Sequence, residues 1–298
     1  TWDLHDTRVS MPESLFETVL SRVIAAQPFF VTLEQIPLCH PRIETLLDRL
    51  HSAAVQIQLT CNGSPPELQR MFLQSPGRFN LLLRVEPFMT DQGIDKRRLA
   101  GVIDSMRTRG FEPALSLVPR KSNIEYLPSL ITFCRENRID CFKLPNVRID
   151  DSFFSVGNDD LLAQDDIERV RHHFSTSEPD WSGISPEIHD LFLWEILAPD
   201  RAESRSEYGG CQAANSLAHI RIDGSVLPCL SWPVVLGDLS RQSFVDIWQS
   251  PARLDIRNKI AAQPTDCADC NDFNNCFGGC RGLAETVGNA GGRDPMCG

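Results

Sequence analysis

Residues 267–280 read CADCNDFNNCFGGC and carry four cysteines in the spacing C-x2-C-x5-C-x3-C. Cys211 and Cys229 precede this stretch, with Gly224 between them, and Cys297 follows it. Thiolates this close together in sequence can converge on one metal ion or on one iron–sulfur cluster. The spacing therefore predicts that the C-terminal part of the chain is organised around metal.

Three kinds of site are consistent with cysteines at these spacings. Disulfide bonds form in oxidising compartments, and seven cysteines would leave one thiol unpaired. Structural zinc takes four ligands per ion, so seven cysteines make one full set and one set that is short by one. Iron–sulfur clusters use the same thiolates, in [2Fe–2S] or [4Fe–4S] form. The spacing favours clusters over zinc, and zinc over disulfides.

The composition describes an acidic protein of ordinary apolar content. The 298 residues carry a formal net charge of -11, and 42% of them are hydrophobic. Because an acidic surface repels phosphate, we expect no nucleic-acid partner. No run of 18 or more apolar residues occurs, so we expect no membrane span. The sequence shows no export leader, so we expect a cytoplasmic protein.

Residues 1–200 alternate between short apolar strands and amphipathic helices. Parallel strands need long crossovers, which the helices supply, so the pattern predicts an α/β domain with a parallel sheet. About five to six strand–helix units suit a partial, TIM-like (β/α) barrel rather than a closed one of eight. The predicted helices are residues 12–26, 41–53, 96–109 and 124–137. The predicted strands are residues 29–33, 55–59, 80–85, 114–118 and 141–144.

Between the two cysteine stretches the sequence predicts a β-hairpin followed by a helix. Residues 219–229, HIRIDGSVLPC, alternate in polarity around Asp223 and Gly224, a strong hairpin-turn pair. Further on, Ser240 or Ser243 is suited to cap a helix that begins near Phe244.

The seven cysteines together with Gly224 resemble the signature of the SPASM domain, the C-terminal extension of radical-SAM enzymes that modify peptides and proteins. The resemblance covers residues 205–298 and predicts a SPASM domain at 201–298 after a radical-SAM-like domain at 1–200. It implies two auxiliary iron–sulfur clusters of the [4Fe–4S] type. By the family's pattern, Cys211, Cys229 and Cys280 bind the first, and Cys267, Cys270, Cys276 and Cys297 bind the second.

The first predicted set is one ligand short. Some relatives complete it with a cysteine just upstream, but residues 200–210, DRAESRSEYGG, contain none. The set then has an open iron, a cysteine from the other domain, or a non-cysteine ligand such as Tyr208 or His219. An open iron could bind a substrate thiolate or amine.

The N-terminal part resembles a radical-SAM domain without its catalytic motif. Residues 2–4, WDL, and residues 37–63 follow the family's strand and helix passages. In active members the first strand runs into C-x3-C-x2-C, which holds the SAM-binding cluster, whereas here no cysteine precedes Cys39. The family's G-G-E-P is replaced by EQIP at residues 34–37, which puts Ile36 where an acid meets SAM. The two losses imply that this chain does not bind SAM.

The remaining residues carry little further chemistry. The sequence has no phosphate-binding loop and no Rossmann fingerprint, and we predict no catalytic residue. The other four cysteines stand singly and are expected to pack in the core, although Cys61 ends a strand where α/β sites gather. They are Cys39, Cys61, Cys134 and Cys141.

Together the resemblances imply a degenerate radical-SAM protein that keeps its auxiliary clusters. We expect it to be the heterodimer partner of an active radical-SAM/SPASM enzyme, as in the SPASM-only members of GeoRSP-type two-protein systems. It would relay electrons, hold a peptide substrate or brace its partner allosterically. Two alternatives stay open: a SAM-independent enzyme that uses the open iron, and a zinc-stabilised scaffold or binding module.

Overall fold

A computed structural model describes residues 1–4, 9–149, 159–198, 210–289 and 291–297. The chain divides into two compact units, each assembled from separate segments. The predicted boundary near residue 200 falls within residues 199–209, outside the described ranges, and stays a prediction. The first unit comprises Thr1–Ser116, Ala218–Leu227 and Val235–Arg253, and the second comprises Leu117–Leu217, Pro228–Val234 and Leu254–Gly298.

The first unit is built on a mostly parallel sheet. Its strands are β1 (Trp2–Asp3), β2 (Phe30–Glu34), β3 (Gln56–Cys61), β4 (Asn80–Arg84), β7 (Pro113–Ser116), β10 (His219–Ile220), β11 (Ser225–Leu227) and β12 (Gly237–Asp238). They lie in the order β12-β11-β10-β1-β2-β3-β4-β7. The six strands β10, β1, β2, β3, β4 and β7 pair with one another in parallel. Strand β11 pairs antiparallel with both β10 and β12. A separate small hairpin joins β5 (Met89–Thr90) to β6 (Gly93–Ile94).

Four helices of the first unit provide the crossovers between the parallel strands. They are α1 (Glu13–Ala25), α2 (Ile43–Ser52), α3 (Pro65–Met71) and α4 (Lys96–Thr108). In α1 the buried side chains are Phe16, Val19, Leu20 and Val23, a spacing of three and four that places them on one face. The strands are apolar in succession, as in Leu81, Leu82 and Leu83, which are all buried. Continuous burial is expected where helices cover a parallel sheet.

The second unit has a parallel pair of strands, β8 (Cys141–Leu144) and β9 (Ser185–Ile188). The chain before them pairs with β8, because the Leu117 N–H donates to the Lys143 carbonyl at 3.0 Å. The helices described here are α5 (Leu127–Glu136), α6 (Gln164–Thr176), α7 (Leu191–Leu197), α10 (Phe273–Cys276) and α11 (Arg281–Thr286). In the remaining segments, α8 (Phe244–Trp248) belongs to the first unit and α9 (Pro251–Ala261) runs from the first into the second.

The α/β class predicted from the sequence is confirmed, and each predicted helix and strand of residues 1–200 has an observed counterpart within a few residues. The hairpin is also found, since β10 and β11 pair as His219 with Leu227 around the turn at Gly224. Ser243 caps α8 by accepting from the Asp246 N–H at 3.1 Å. No helix within the described ranges is long and apolar enough to cross a membrane.

Candidate metal centre

Three cysteines of the second unit, Cys211, Cys229 and Cys280, form the first cysteine group. Burial is the main cause that raises the pKa of each thiol, to about 12 for Cys229. The Cys211 thiol contributes next to the raised pKa of Cys229. Burial is the largest cause of the raised pKa of Cys280, the Asp294 carboxylate is the next, and the thiols of Cys229 and Cys211 follow. The three sulfurs therefore lie close enough to interact.

Backbone N–H groups interact with every sulfur of the first cysteine group. Each of them lowers the pKa of its thiol against the opposing effect of burial. Hydrogen bonds to cysteine sulfur stabilise thiolates and tune the potential of iron–sulfur clusters. The pairs are Ala213 with Cys211, Ser231 and Trp232 with Cys229, and Leu283 with Cys280.

Local structure holds the cysteines of this group in place. The Arg257 Nη1 on α9 donates to the carbonyls of Cys211 and Ala213, at 2.6 and 3.0 Å. Cys229 forms an isolated bridge with the buried Trp232. Cys280 is the N-cap residue of α11, so its backbone N–H precedes the helix. Each cysteine is therefore fixed through its own backbone.

The other four cysteines, Cys267, Cys270, Cys276 and Cys297, form the second cysteine group. Burial raises the pKa of Cys267, followed by the thiols of Cys276 and Cys270. Burial also raises the pKa of Cys297, and all three other thiols of the group contribute in the same direction. The Cys270 N–H donates to the Cys267 carbonyl at 3.1 Å, which turns the chain between these two ligands. The four thiols of this group therefore lie within electrostatic range of one another, and the assignment of each cysteine to a cluster stays a prediction.

Arginine side chains supply positive charge to both groups. Arg281 is buried and donates from Nη1 to the Ala262 carbonyl at 3.1 Å. Its guanidinium interacts with Cys211 of the first group and with Cys267 of the second. Arg293 acts on Cys267 and Cys297. Positive charge near cysteine favours the thiolate, which is the form that binds metal.

The donor set fits iron–sulfur chemistry. Soft thiolates are the ligands of iron–sulfur clusters and of zinc, and the N–H groups and arginines stabilise the negative charge that such ligands carry. In the part of the chain that the structure describes, no group of three or more His, Cys, Asp or Glu side chains is arranged to hold a single metal ion. The two groups are therefore defined by the mutual influence of their thiols.

Sequence reasoning missed a buried carboxylate beside the first cysteine group. Asp294 is 1% exposed, and its Oδ2 accepts from the Cys280 N–H at 2.7 Å. Burial, followed by the charge of Asp190, raises the pKa of Asp294 to about 7. The proximity of Asp294 to Cys280 is a tertiary contact across 14 residues, which no spacing motif indicates.

A small cavity of about 30 Å³ lies within the second unit, and its lining includes one cysteine of the first cysteine group. Its lining is mainly apolar, with Leu193, Leu283 and Met296, and it includes Cys280 and Asp190. Most ligand sites are concave and apolar with a few polar groups that fix orientation. The volume of this cavity is about that of one water molecule.

Residues 34–37, EQIP, begin at the last residue of strand β2 of the first unit and stand where the family pattern has G-G-E-P. One of these residues keeps a backbone conformation that favours glycine. Gln35, which replaces the second glycine, has φ 67° in the left-handed region. The Thr60 Oγ1 donates to the carbonyls of Leu33 and Gln35, at 3.1 and 3.3 Å. Ile36 offers no acceptor in its side chain. Residues 5–8, where a cysteine motif would follow β1 in active relatives, lie outside the described ranges.

The two non-cysteine ligands considered from the sequence gain no support. Both ring nitrogens of His219 are engaged: Nδ1 with Thr1 Oγ1 at 2.8 Å, and Nε2 with Asp3 Oδ2 at 3.1 Å. Tyr208 lies outside the described residues.

No thiol of either cysteine group contributes to the pKa shifts of the four single cysteines, Cys39, Cys61, Cys134 and Cys141. Cys61 and Cys134 are fully buried, and burial raises the pKa of each thiol to about 12. The other thiol that acts on Cys61 is Cys39, and the one that acts on Cys134 is Cys141.

Comparison with known families identifies an iron–sulfur cluster-binding segment. Residues 211–271 match the SPASM family, described as an iron–sulfur cluster-binding domain. The match begins at Cys211 and includes Cys229, Cys267 and Cys270. This part of the chain is therefore a SPASM-type cluster-binding domain.

Comparison with solved structures shows a fold shared with SuiB and anSMEcpe. SuiB of Streptococcus suis superposes with a TM-score of 0.69 at 17% identity, over 98% of this chain and 72% of SuiB. SuiB bound to its precursor peptide SuiA superposes equally well, over 97% of this chain and 70% of that one at 18% identity. The structure of anSMEcpe with bound AdoMet and the Cp18Cys peptide gives 0.67 at 15% identity, over 97% of this chain and 87% of that one.

Proposed function

We propose that this chain is an iron–sulfur protein that partners an active radical-SAM enzyme in the modification of a peptide or protein. The first cysteine group holds one cluster and the second holds another, both of the [4Fe–4S] type. The partner supplies SAM cleavage. This chain relays electrons, holds the peptide or braces the partner, in a heterodimer of two related folds.

The observation that carries the proposal is the arrangement of the first cysteine group. Three thiols interact with one another, each receives a backbone N–H, and Arg257 and Arg281 lie within electrostatic range of Cys211. Donors and cations in this arrangement stabilise bound thiolates. Simple core packing of cysteine requires none of these features. The match of residues 211–271 to a cluster-binding domain supports the same interpretation.

The absence of SAM chemistry from this chain is inferred from the sequence beside the first unit's sheet. No C-x3-C-x2-C motif follows Trp2–Leu4, and the segment at residues 34–37 has lost both glycines and the acid. A cluster that binds SAM needs thiolates to hold it and groups that meet the SAM amino group. When bound, the two proposed clusters would supply electron transfer, and this chain's residues would hold and shield them.

The partner role draws on what the structural relatives bind. SuiB has been solved with a precursor peptide, and anSMEcpe with AdoMet and a peptide. Our chain shares that fold over nearly its whole length while lacking the SAM motif, so a second protein must supply the cleavage chemistry. A fold that retains the surface of an active relative is suited to pair with one.

Two measurements on the anaerobically purified chain test this proposal. Affinity capture from the native host should recover a radical-SAM protein, and a SAM titration of the chain alone should show no binding. The matched control for capture is the Cys276→Ala, Cys280→Ala double variant, which lacks one ligand of each group. SAM binding and cleavage by the isolated chain would overturn the proposal, as would capture of no radical-SAM protein by a fully loaded chain.

One observation favours a second candidate, a SAM-independent enzyme. The lining of a small cavity includes Cys280, and an open iron beside that cysteine would be a Lewis-acid site for a small ligand. Turnover of a candidate peptide by the loaded chain with no partner present would favour this function. Dependence of turnover on the radical-SAM partner would exclude it.

A further inference from the structure

Trp232 carries a buried indole N–H for which the described part of the chain offers no acceptor. The residue is 1% exposed, and its Nε1 makes no hydrogen bond to any residue that the structure describes. Buried tryptophan N–H groups usually find an acceptor, because an unpaired buried donor destabilises the fold. The indole of Trp232 is therefore a donor whose acceptor has to be identified.

The backbone of Trp232 places this residue at the first cysteine group. Trp232 forms an isolated antiparallel bridge with Cys229. Its backbone N–H also bonds to the Cys229 sulfur, as does that of Ser231. Ser231 is anchored in turn, since its Oγ donates to the Val147 carbonyl at 2.6 Å. The turn from Cys229 to Trp232 thus holds the base of the indole beside a predicted cluster ligand.

Gly282 lets the helix that follows Cys280 approach the same indole. Cys280 is the N-cap residue of α11, and Gly282 lies in the first turn of this helix. A Cβ on Gly282 would lie 2.7 Å from the Trp232 Cβ, 3.0 Å from its Cγ and 2.8 Å from the Ser231 carbonyl oxygen. Because distances below 3.0 Å exclude a side chain, only glycine permits this approach. The indole therefore packs against the segments that carry both Cys229 and Cys280.

The chemistry of the proposed cluster supplies the acceptor that the protein does not. A [4Fe–4S] cluster carries sulfide and thiolate sulfurs, and hydrogen bonds to these sulfurs are among the factors that set its reduction potential. Cys229 and Cys280 are two of the three thiolates predicted to hold the first cluster. The sulfurs of a cluster bound by these residues are therefore the acceptors expected for the indole N–H.

A buried water molecule is the alternative acceptor. Buried waters usually make about three hydrogen bonds to polar groups that would otherwise lack a partner. The small cavity of the second unit has room for about one water, but Trp232 is not among the residues that line it. That cavity therefore does not supply the acceptor for the indole.

We propose that the Trp232 indole N–H donates a hydrogen bond to a sulfur of the cluster held by Cys211, Cys229 and Cys280. This inference rests on the proposed function, in which the first cysteine group holds a [4Fe–4S] cluster. Trp232 contacts the cofactor and ligates no iron. The hydrogen bond stabilises the reduced cluster more than the oxidised one, because reduction adds negative charge to the sulfurs. It therefore raises the reduction potential of the first cluster.

The test uses the full chain, labelled with indole-¹⁵N tryptophan and loaded with iron and sulfide. Electron–nuclear double resonance on the reduced clusters detects a ¹⁵N nucleus and an exchangeable proton that share a hydrogen bond with a cluster sulfur. Trp232→Phe removes the N–H. Trp232→β-(3-benzothienyl)alanine also removes it, and the ring sulfur of that analogue preserves the shape of the side chain. Redox titration followed by electron paramagnetic resonance measures each cluster separately.

Trp181→Phe is the matched control in the same unit. The Trp181 Nε1 donates to the Leu197 carbonyl at 2.6 Å, so this indole already has an acceptor in the protein. The control variant therefore removes one labelled indole N–H without removing a donor to the cluster.

In the unaltered chain we expect ¹⁵N coupling on one cluster only, and both variants of Trp232 should abolish it. Loss of the bond should lower the equilibrium constant for reduction of that cluster about tenfold, which corresponds to about 59 mV for a one-electron couple. The benzothienyl variant should shift the potential as far as Trp232→Phe does. Trp181→Phe should leave the coupling and both potentials unchanged.

The contrary outcomes are separable. Loaded clusters without ¹⁵N coupling in the unaltered chain would overturn the inference and leave water as the acceptor. That spectrum needs no variant, so it decides the question even where Trp232→Phe does not fold. A coupling or a potential that the benzothienyl variant leaves unchanged would also overturn it. A chain that binds no iron and sulfide in any form would instead overturn the proposed function.

Discussion

At the scale of single residues, burial decides what each thiol can do. Cys61 and Cys134 are fully buried, and the pKa of each thiol is raised to about 12. A thiol reacts as its thiolate, so at pH 8 only about one in ten thousand of these thiols is reactive. Burial also raises the pKa of each thiol in the first cysteine group, but Arg257 and Arg281 act in the opposite direction on Cys211.

We therefore predict that Cys61 and Cys134 resist alkylation by iodoacetamide in the native protein at pH 8. Their labelling should rise about tenfold for each unit of pH, because the thiolate fraction increases as pH approaches the raised pKa. Mass spectrometry of peptides measures the labelling. Protein unfolded in guanidinium at the same pH is the control, and labelling of Cys61 at an equal rate in both samples would contradict the packing role.

A second residue-scale prediction concerns Gln35, whose φ of 67° is left-handed. A left-handed conformation destabilises a non-glycine residue by about 1–2 kcal/mol, which glycine would avoid. Glycine also loses more conformational entropy on folding, which offsets part of that gain. Gln35→Gly should raise the melting temperature by roughly 2 °C. Gln56→Gly, at the start of β3, should lower it, because glycine weakens a strand. A melting temperature that falls for Gln35→Gly would contradict the strain at this position.

At the scale of elements, helix α9 holds the loop of the first cysteine group. The Arg257 guanidinium binds the carbonyls of Cys211 and Ala213, whereas the exposed Lys259 on the same helix pairs with the half-buried Glu285. Loss of a group that orients a metal ligand typically lowers metal affinity by about 10–100-fold.

Arg257→Ala should therefore accelerate chelator-driven loss of the first cluster by about tenfold. Lys259→Ala is the control on the same helix and should leave the rate unchanged. The resonance of the second cluster serves as an internal reference in each sample. Equal rates for the two variants would show that Arg257 does not position Cys211.

Elements with a local signal were predicted from the sequence, and those defined by tertiary contact were not. The hairpin at Asp223 and Gly224 and the cap at Ser243 carry their own turn and capping residues, and both are confirmed. Helix α3 was missed although Ser64 and Glu67 form a capping box at its start and two prolines occupy its first positions. That signal was present and could have been used.

The cysteine groups show the same division. Spacing and resemblance predicted which cysteines fall together, because the family pattern fixes ligands by sequence distance. The roles of Arg257, Arg281 and Asp294 could not be read in this way, since each acts through the fold on a cysteine distant in sequence or through a backbone carbonyl. Only their charges and their proximity in sequence to cysteines could have suggested them.

At the scale of the molecule, the proposed clusters should stabilise the second unit, because metal binding is coupled to folding where ligands come from several loops. Cluster removal by a chelator under oxidation should therefore increase amide hydrogen exchange across residues 264–297. Exchange in β2, β3 and β4 of the first unit should change little. Hydrogen-exchange mass spectrometry measures both, and equal protection of residues 264–297 before and after removal would contradict the coupling.

The most direct test that the seven C-terminal cysteines hold two clusters is a metal and sulfide analysis of the anaerobically purified chain. The analysis determines iron, acid-labile sulfide and zinc on the same sample. Two [4Fe–4S] centres predict about eight irons and eight sulfides per chain, with no stoichiometric zinc. Stoichiometric zinc without sulfide would contradict the cluster assignment and leave a zinc-stabilised scaffold in its place.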